Sequence, residues 1–174
     1  MVATVSVAET NTSAATVTAS ITNMNMGSAD AVNLVAATYP ITASTNSYEK
    51  WLRFNWSAGT ATSIGNLKVW SNTSSDAVAG VEIKTNAASS NSGTITFPTS
   101  SGPSCVNRAA TYLYAKFFST AAPSFANVPI GGQTSSTLTA AGYSDYIVTQ
   151  IQTSTAAVAG RTATIISFQY DEVA

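Results

Sequence analysis

Apolar side chains in this chain recur at every second position in short runs bounded by turn residues, and no run sustains the three-to-four-residue spacing of an amphipathic helix. Val5 and Val7 alternate in residues 2–8, and Val17, Ala19 and Ile21 do so in residues 15–21, with the polar segment Glu9-Thr10-Asn11-Thr12-Ser13 between them as a hairpin or loose connection. Leu52, Phe54 and Trp56 share one side of a third run, and Leu67 and Val69 one side of a fourth. Further short runs follow at 81–85, 94–97, 112–118, 146–152 and 162–170. Residues 22–45 read as irregular apart from a short strand near 32–35. The two final runs, joined around 156–160, read most simply as an antiparallel hairpin. The expectation is an all-β fold of roughly eight to ten strands with long polar loops: a single β-sandwich, jelly-roll or Ig-like. No internal repeat or shift of composition divides the chain, so residues 1–174 read as one domain. An extended N-terminal segment and a long loop near 120–143, with Pro123, Pro129 and Gly131-Gly132, stand out as segments able to reach a neighbour.

Only 9% of the residues are charged and the net charge is −1, so Ser, Thr, Asn and Gln must cover the surface. A chain without a Lys/Arg footprint lacks what nucleic-acid binding or electrostatic attachment to a membrane needs. Weak charge also means weak mutual repulsion, which suits a subunit repeated in an assembly, and the same Ser/Thr/Asn-rich composition fits a secreted bacterial β-module equally well. No window approaches the ~18 uninterrupted apolar residues of a membrane-spanning helix. Read as a native start, MVATVSVAETNTSA has neither the basic nor the apolar region of a secretory signal, and the expectation is synthesis in a cytoplasm. The Asn-x-Ser/Thr matches at Asn11, Asn55 and Asn72 then read as chance.

The chain contains no histidine, which removes the common zinc, haem and Ser-His-Asp arrangements, and no catalytic, metal or cofactor residues are expected. Cys105 stands alone, without the partner a disulfide or an activated thiol requires. The eight acids are scattered without a calcium-loop pattern. Glu49 and Glu82 are the candidates for a glycosidase-like carboxylate pair, but they read more simply as surface charges or as ion-pair partners of Arg53 and Lys50. The expectation is a protein that is not an enzyme.

What remains is the stretch Tyr48–Trp70, which holds all three tryptophans. Opposite Leu52 and Phe54 lie Trp51 and Arg53, and opposite Leu67 and Val69 lie Lys68 and Trp70. The two strands could pair as a hairpin or face each other across a sandwich. The side carrying Trp51, Arg53, Lys68 and Trp70 is the candidate interface or stacking face, with plain aromatic core anchors under Lys/Arg stems as the simpler alternative.

The text SYEKWLRFNW…IGNLKVW, preceded by NMNMGSADAVNL and YPI, and the ending SDYIVTQIQTSTAAVAG…SFQYDE resemble small structural proteins of tailed bacteriophages over about a third of the chain. The resemblance implies a β-sandwich subunit on the virion. Its first expected role is a capsid decoration or cement protein, a homo-oligomer or repeated subunit that stabilises the head by contacts with capsid or other virion proteins. A head–tail connector component and a tail or fibre protein are alternatives. A carbohydrate-binding adhesin, with Trp51, Trp70 or Tyr114 stacking on sugars, is an alternative of another class.

Overall fold

The computed structural model of the chain describes residues 2–11, 16–71, 78–87, 115–116, 121–158 and 165–173. Among them every regular element is a β-strand: β1 (Ala3–Asn11), β2 (Thr16–Thr18), β3 (Lys50–Gly59), β4 (Ser63–Ser71), β5 (Val81–Thr85), β6 (Ala115–Lys116), β7 (Gly142–Tyr143), β8 (Ile147–Thr153) and β9 (Ile166–Val173). They form two antiparallel sheets. One has the order β2-β1-β3-β8-β5-β6, with β7 also paired to β3; the other is β4-β9.

The all-β expectation holds; of the two arrangements left open for the first runs, β1 and β2 pair antiparallel with Glu9 opposite Thr18, but Glu9, Thr10 and Asn11, expected in the connection, are the paired end of β1. Pairing among later strands differs from the simplest reading. β8 and β9 do not form a hairpin, because β3 occupies one edge of β8 and β5 the other, leaving β9 to pair with β4. β3 and β4 are not a hairpin either. Their connection hands the chain over: Thr60 N–H donates to the Val2 carbonyl beside β1, and Thr62 N–H to the Val173 carbonyl at the end of β9. Gly59 makes the departure with φ of 130°, at a place where a Cβ would sit 2.3 Å from the Val2 carbonyl oxygen, so only glycine fits there.

Residues 32–35 are a turn at 32–33 followed by irregular backbone, not a strand. Asn33 adopts a positive φ, and its Oδ1 accepts from the Thr22 and Asn23 N–H groups and the Thr22 hydroxyl; Asn25 Nδ2 donates to the Leu34 carbonyl. Local side-chain partners satisfy this backbone in place of a ladder. Of the run expected at 162–170, residues 162–164 lie outside the described residues, and β9 runs on past 170 through Asp171 and Glu172, which lie opposite Gly65 and Ile64. The expected strand at 94–97, most of that at 112–118, and Asn72, Cys105 and Tyr114 lie outside the described residues.

The core forms where the inward sides of the two sheets meet. Leu52, Phe54, Ile83 and Ile147 of the larger sheet share one buried cluster with Leu67 and Val69 of β4 and with Val128, and the Phe54 and Phe168 rings meet edge to face at 5.5 Å. Trp56 belongs to a neighbouring cluster with Ala3 and Ile64, its indole N–H donating to the Ala58 carbonyl.

Two asparagine side chains continue the ladders where strands stop. Asn127 Oδ1 accepts from the Val69 N–H and its Nδ2 donates to the Val69 carbonyl, both at 2.9 Å, so its carboxamide stands where a neighbouring peptide would. Asn86 does the same for β8, between Val148 N–H and the Tyr146 carbonyl.

The long stretch 121–143 is tied to β4 by backbone bonds. Leu138 bridges Ile64, and the Asn127 and Val128 N–H groups donate to the Leu67 carbonyl. Gly131 and Gly132, both at positive φ between the bridged Ile130 and Gln133, make a two-residue hairpin turn of the kind that needs glycine. Their N–H groups donate to the Asp145 carboxylate at 3.1 and 2.6 Å. Asp145→Ala is therefore expected to cost about 1.5–3 kcal/mol in urea unfolding, the range for hydrogen bonds to a charged group. An unchanged midpoint would show that the turn holds without the carboxylate.

Candidate functional site

Strand parity decides where each candidate side chain goes. Leu52 and Phe54 face the core, so Trp51 and Arg53 occupy the opposite side of β3; Leu67 and Val69 face the same core from β4, so Lys68 and Trp70 occupy the opposite side of β4. The two pairs thus lie on opposite outer sides of the two sheets. Trp51, Arg53, Lys68 and Trp70 do not form one face. The sequence alone left the hairpin open as an arrangement, and only a hairpin would have placed all four together.

On the larger sheet the outward pair is part of an aromatic and polar cluster. The Arg53 guanidinium carbon lies 3.8 Å from the centre of the Tyr143 ring and 4.7 Å from that of Tyr146. Trp51 meets Tyr146 edge to face at 5.3 Å, and the Tyr146 hydroxyl is 3.2 Å from Thr10 Oγ1. Register brings these groups together: Thr10 lies opposite Trp51, Ala8 opposite Arg53, and Asn55 opposite Tyr143. β7 and β8 are one interrupted strand, and at the break Ser144 accepts the Phe54 N–H through its hydroxyl while its own N–H donates to the Phe54 carbonyl. That break sets Tyr143 and Tyr146 on either side of Arg53.

Trp51 is only 6% exposed, and its indole N–H donates to Glu49 Oε2 at 2.8 Å. Burial removes it as a platform for a sugar. Tyr143 is 41% exposed, but Arg53 already covers one face of its ring. Of the outward aromatics proposed for stacking, Trp70 is half-buried on β4, beside Lys68. Glu49, 1% exposed and accepting from the Trp51 indole, is not a surface charge, and Glu82 pairs with Lys84 at 2.6 Å.

A second polar cluster, on the inward side at one end of the larger sheet, was not singled out by the sequence reading. Glu9 follows Val5 and Val7 on the inward side of β1, and Lys50 precedes Leu52 and Phe54 on the inward side of β3. Lys50 Nζ donates to Glu9 Oε1 at 2.6 Å and also to the Ala31 carbonyl. Asn11 Nδ2 donates to the same Glu9 oxygen at 2.7 Å and to Asp30 Oδ1 at 2.8 Å. Lys50 is 1% exposed and Glu9 is fully buried. The signal was in the text: a glutamate and a lysine each occupying a position where alternation demands an apolar residue. The anticipated partners of Lys50, Glu49 and Glu82, are engaged elsewhere because neither shares its side of the sheet.

Among the described residues no three or more Cys, Asp or Glu side chains gather as a metal site. Comparison of the chain with protein-family models, with curated proteins and with solved structures finds no match.

Proposed function

We propose that the protein is a structural subunit of a bacteriophage virion, a capsid decoration or cement protein whose two sheets form a β-sandwich of the jelly-roll or Ig-like kind. The observation that carries this reading is the character of the surface. Val2, Val17, Val35, Tyr39, Tyr143, Val158, Ile165 and Val173 are exposed on a chain with only 9% charged residues. Such a surface favours association through apolar and hydrogen-bonding contacts over electrostatic capture of a ligand. The resemblance of residues 47–70 and of the C-terminal strands to tailed-phage structural proteins supports the same role. A protein that binds the assembled shell and not its free subunits stabilises the shell by mass action.

Mass spectrometry of purified particles from the producing culture tests the proposal. The expected result is this chain at a copy number comparable with that of the capsid subunit, with heads that lose heat resistance when it is stripped. A copy number of a dozen or fewer would assign it to a connector, tail or fibre instead, and intact particles wholly lacking it would remove the virion reading. The adhesin alternative rests on the half-buried Trp70 beside Lys68. It requires glycan binding that Trp70→Ala abolishes.

A further inference from the structure

We propose that Lys50 and Asn11 become joined by an intramolecular isopeptide bond, with Glu9 as the proton-transferring residue, so that β1 and β3 are linked covalently as well as by their ladder. This inference is independent of the virion reading.

Three observations converge. The first is placement: the β1–β3 register pairs Glu9 with Leu52 and Thr10 with Trp51, and its next step sets Asn11 across from Lys50. Directly opposed side chains on neighbouring strands start ~5 Å apart. The second is a shared acid, since the Lys50 amine and the Asn11 carboxamide nitrogen both donate to Glu9 Oε1, which keeps the two nitrogens within a few ångströms. Burial of all three residues excludes the water that would compete as a nucleophile. The third is a pair of buried oxygens without a hydrogen-bond partner, Glu9 Oε2 and Asn11 Oδ1. A carboxylic acid and a primary amide form two complementary hydrogen bonds. One of them, from Asn11 Nδ2 to Glu9 Oε1, is present. A proton on Glu9 Oε2 directed at Asn11 Oδ1 supplies the other and satisfies both oxygens.

The same proton movement starts the chemistry. Lys50 gives a proton to Glu9, which leaves a neutral amine with a free electron pair and an acid able to polarise the Asn11 carbonyl. Nζ attacks Asn11 Cγ to form a tetrahedral carbon. Glu9 gives its proton to the departing Nδ2 and takes one from the attacking nitrogen, the carbon–nitrogen bond to Nδ2 breaks, and Glu9 is left protonated. Lysine amine and asparagine amide become a secondary amide and free ammonia, with no oxidant, reductant or metal consumed. The Lys50 hydrogen bond to the Ala31 carbonyl and that of Asn11 to Asp30 hold the reactants in place during the step.

The test is high-resolution mass spectrometry of the intact full-length chain, followed by a tryptic map. Linkage lowers the mass by one ammonia, about 17 Da. Lys50 is the first Lys or Arg in the chain and Arg53 the next, so an acylated Lys50 leaves residues 1–53 as a single tryptic fragment. Fragmentation of that piece is expected to join Asn11 to Lys50. Cyclisation of Asn11 on its own backbone loses the same mass but leaves cleavage after Lys50 intact, and that pattern overturns the proposal. So does a loss of one water, which would place the bond on Glu9 or Asp30. An unmodified wild-type mass with normal cleavage also overturns it, whatever the variants do. Glu9→Gln is expected to abolish the ammonia loss, and Asn11→Ala to restore full cleavage after Lys50. Ammonia loss retained in folded Glu9→Gln would remove the role of Glu9.

Discussion

Glu9→Leu is expected to lower the unfolding free energy by about 3–5 kcal/mol relative to the chain in which Lys50 is not yet linked to Asn11, the loss typical of removing one member of a buried ion pair, and to forfeit that linkage besides. For a chain of this length that corresponds to a fall in melting temperature on the order of 10 °C. The cost arises because the Lys50 amine stays buried, with the Ala31 carbonyl as its only remaining acceptor among the described residues, while Asn11 keeps Asp30 but loses Glu9. The substitution itself introduces an apolar group on the inward side of β1, in line with Val5 and Val7, so shape is not the problem. Adding Lys50→Met to Glu9→Leu removes the stranded charge and is expected to give a protein more stable than the single variant. Urea unfolding of both proteins checks the order. A Glu9→Leu midpoint equal to that of the wild type would mean that water reaches the lysine.

Phe54→Ala is the second large effect, expected at about 3–5 kcal/mol by the same measurement. Phe54 is buried in the main core cluster, lies opposite Val7 on β1, and meets Phe168 of β9 edge to face. Truncation therefore loosens the contact between the two sheets as well as leaving a void within one. Neither neighbouring backbone can collapse into the space: β3 is held by β1 on one edge and by β7 and β8 on the other, and the Phe54 N–H and carbonyl are both engaged by Ser144. Phe54→Leu keeps most of the volume and is expected to cost much less. Similar losses for the two variants would show that ring stacking on Phe168, and not filled volume, dominates at this position.

Alternation every second residue was enough to find most strands and to say which side of β3 and of β4 faces the shared core, because inward positions of such strands are mostly apolar. It could not assign partners. Whether β9 joins β8 or β4 depends on which edges are already occupied, and that is settled by contacts far apart in the chain. The candidate face failed for the same reason: Trp51 and Arg53 on one strand and Lys68 and Trp70 on the next share a side only if those strands share a sheet. The segment around Val32–Val35 misled because its valines and leucine imitate a strand, while Asn23, Asn25 and Asn33 satisfy the nearby backbone locally. The buried polar cluster is the instructive case. Glu9 and Lys50 were visible as exceptions to the apolar pattern, each at an inward position, yet Asn11 and Asp30 could join them only through register and a turn that alternation does not encode.

The carboxamides of Asn127 and Asn86 have a consequence for how copies of this molecule can meet. An open strand edge is a template on which a stray chain can crystallise into a growing sheet. At Val69 that template is already filled by a side chain that imitates a peptide group and then ends, offering nothing for the next strand to grip. Neighbours are thereby turned away from this stretch of β4 as a seam for endless sheet growth and left to meet through side chains. That is the difference between a brick that can be counted into a wall and a thread that keeps spinning itself longer.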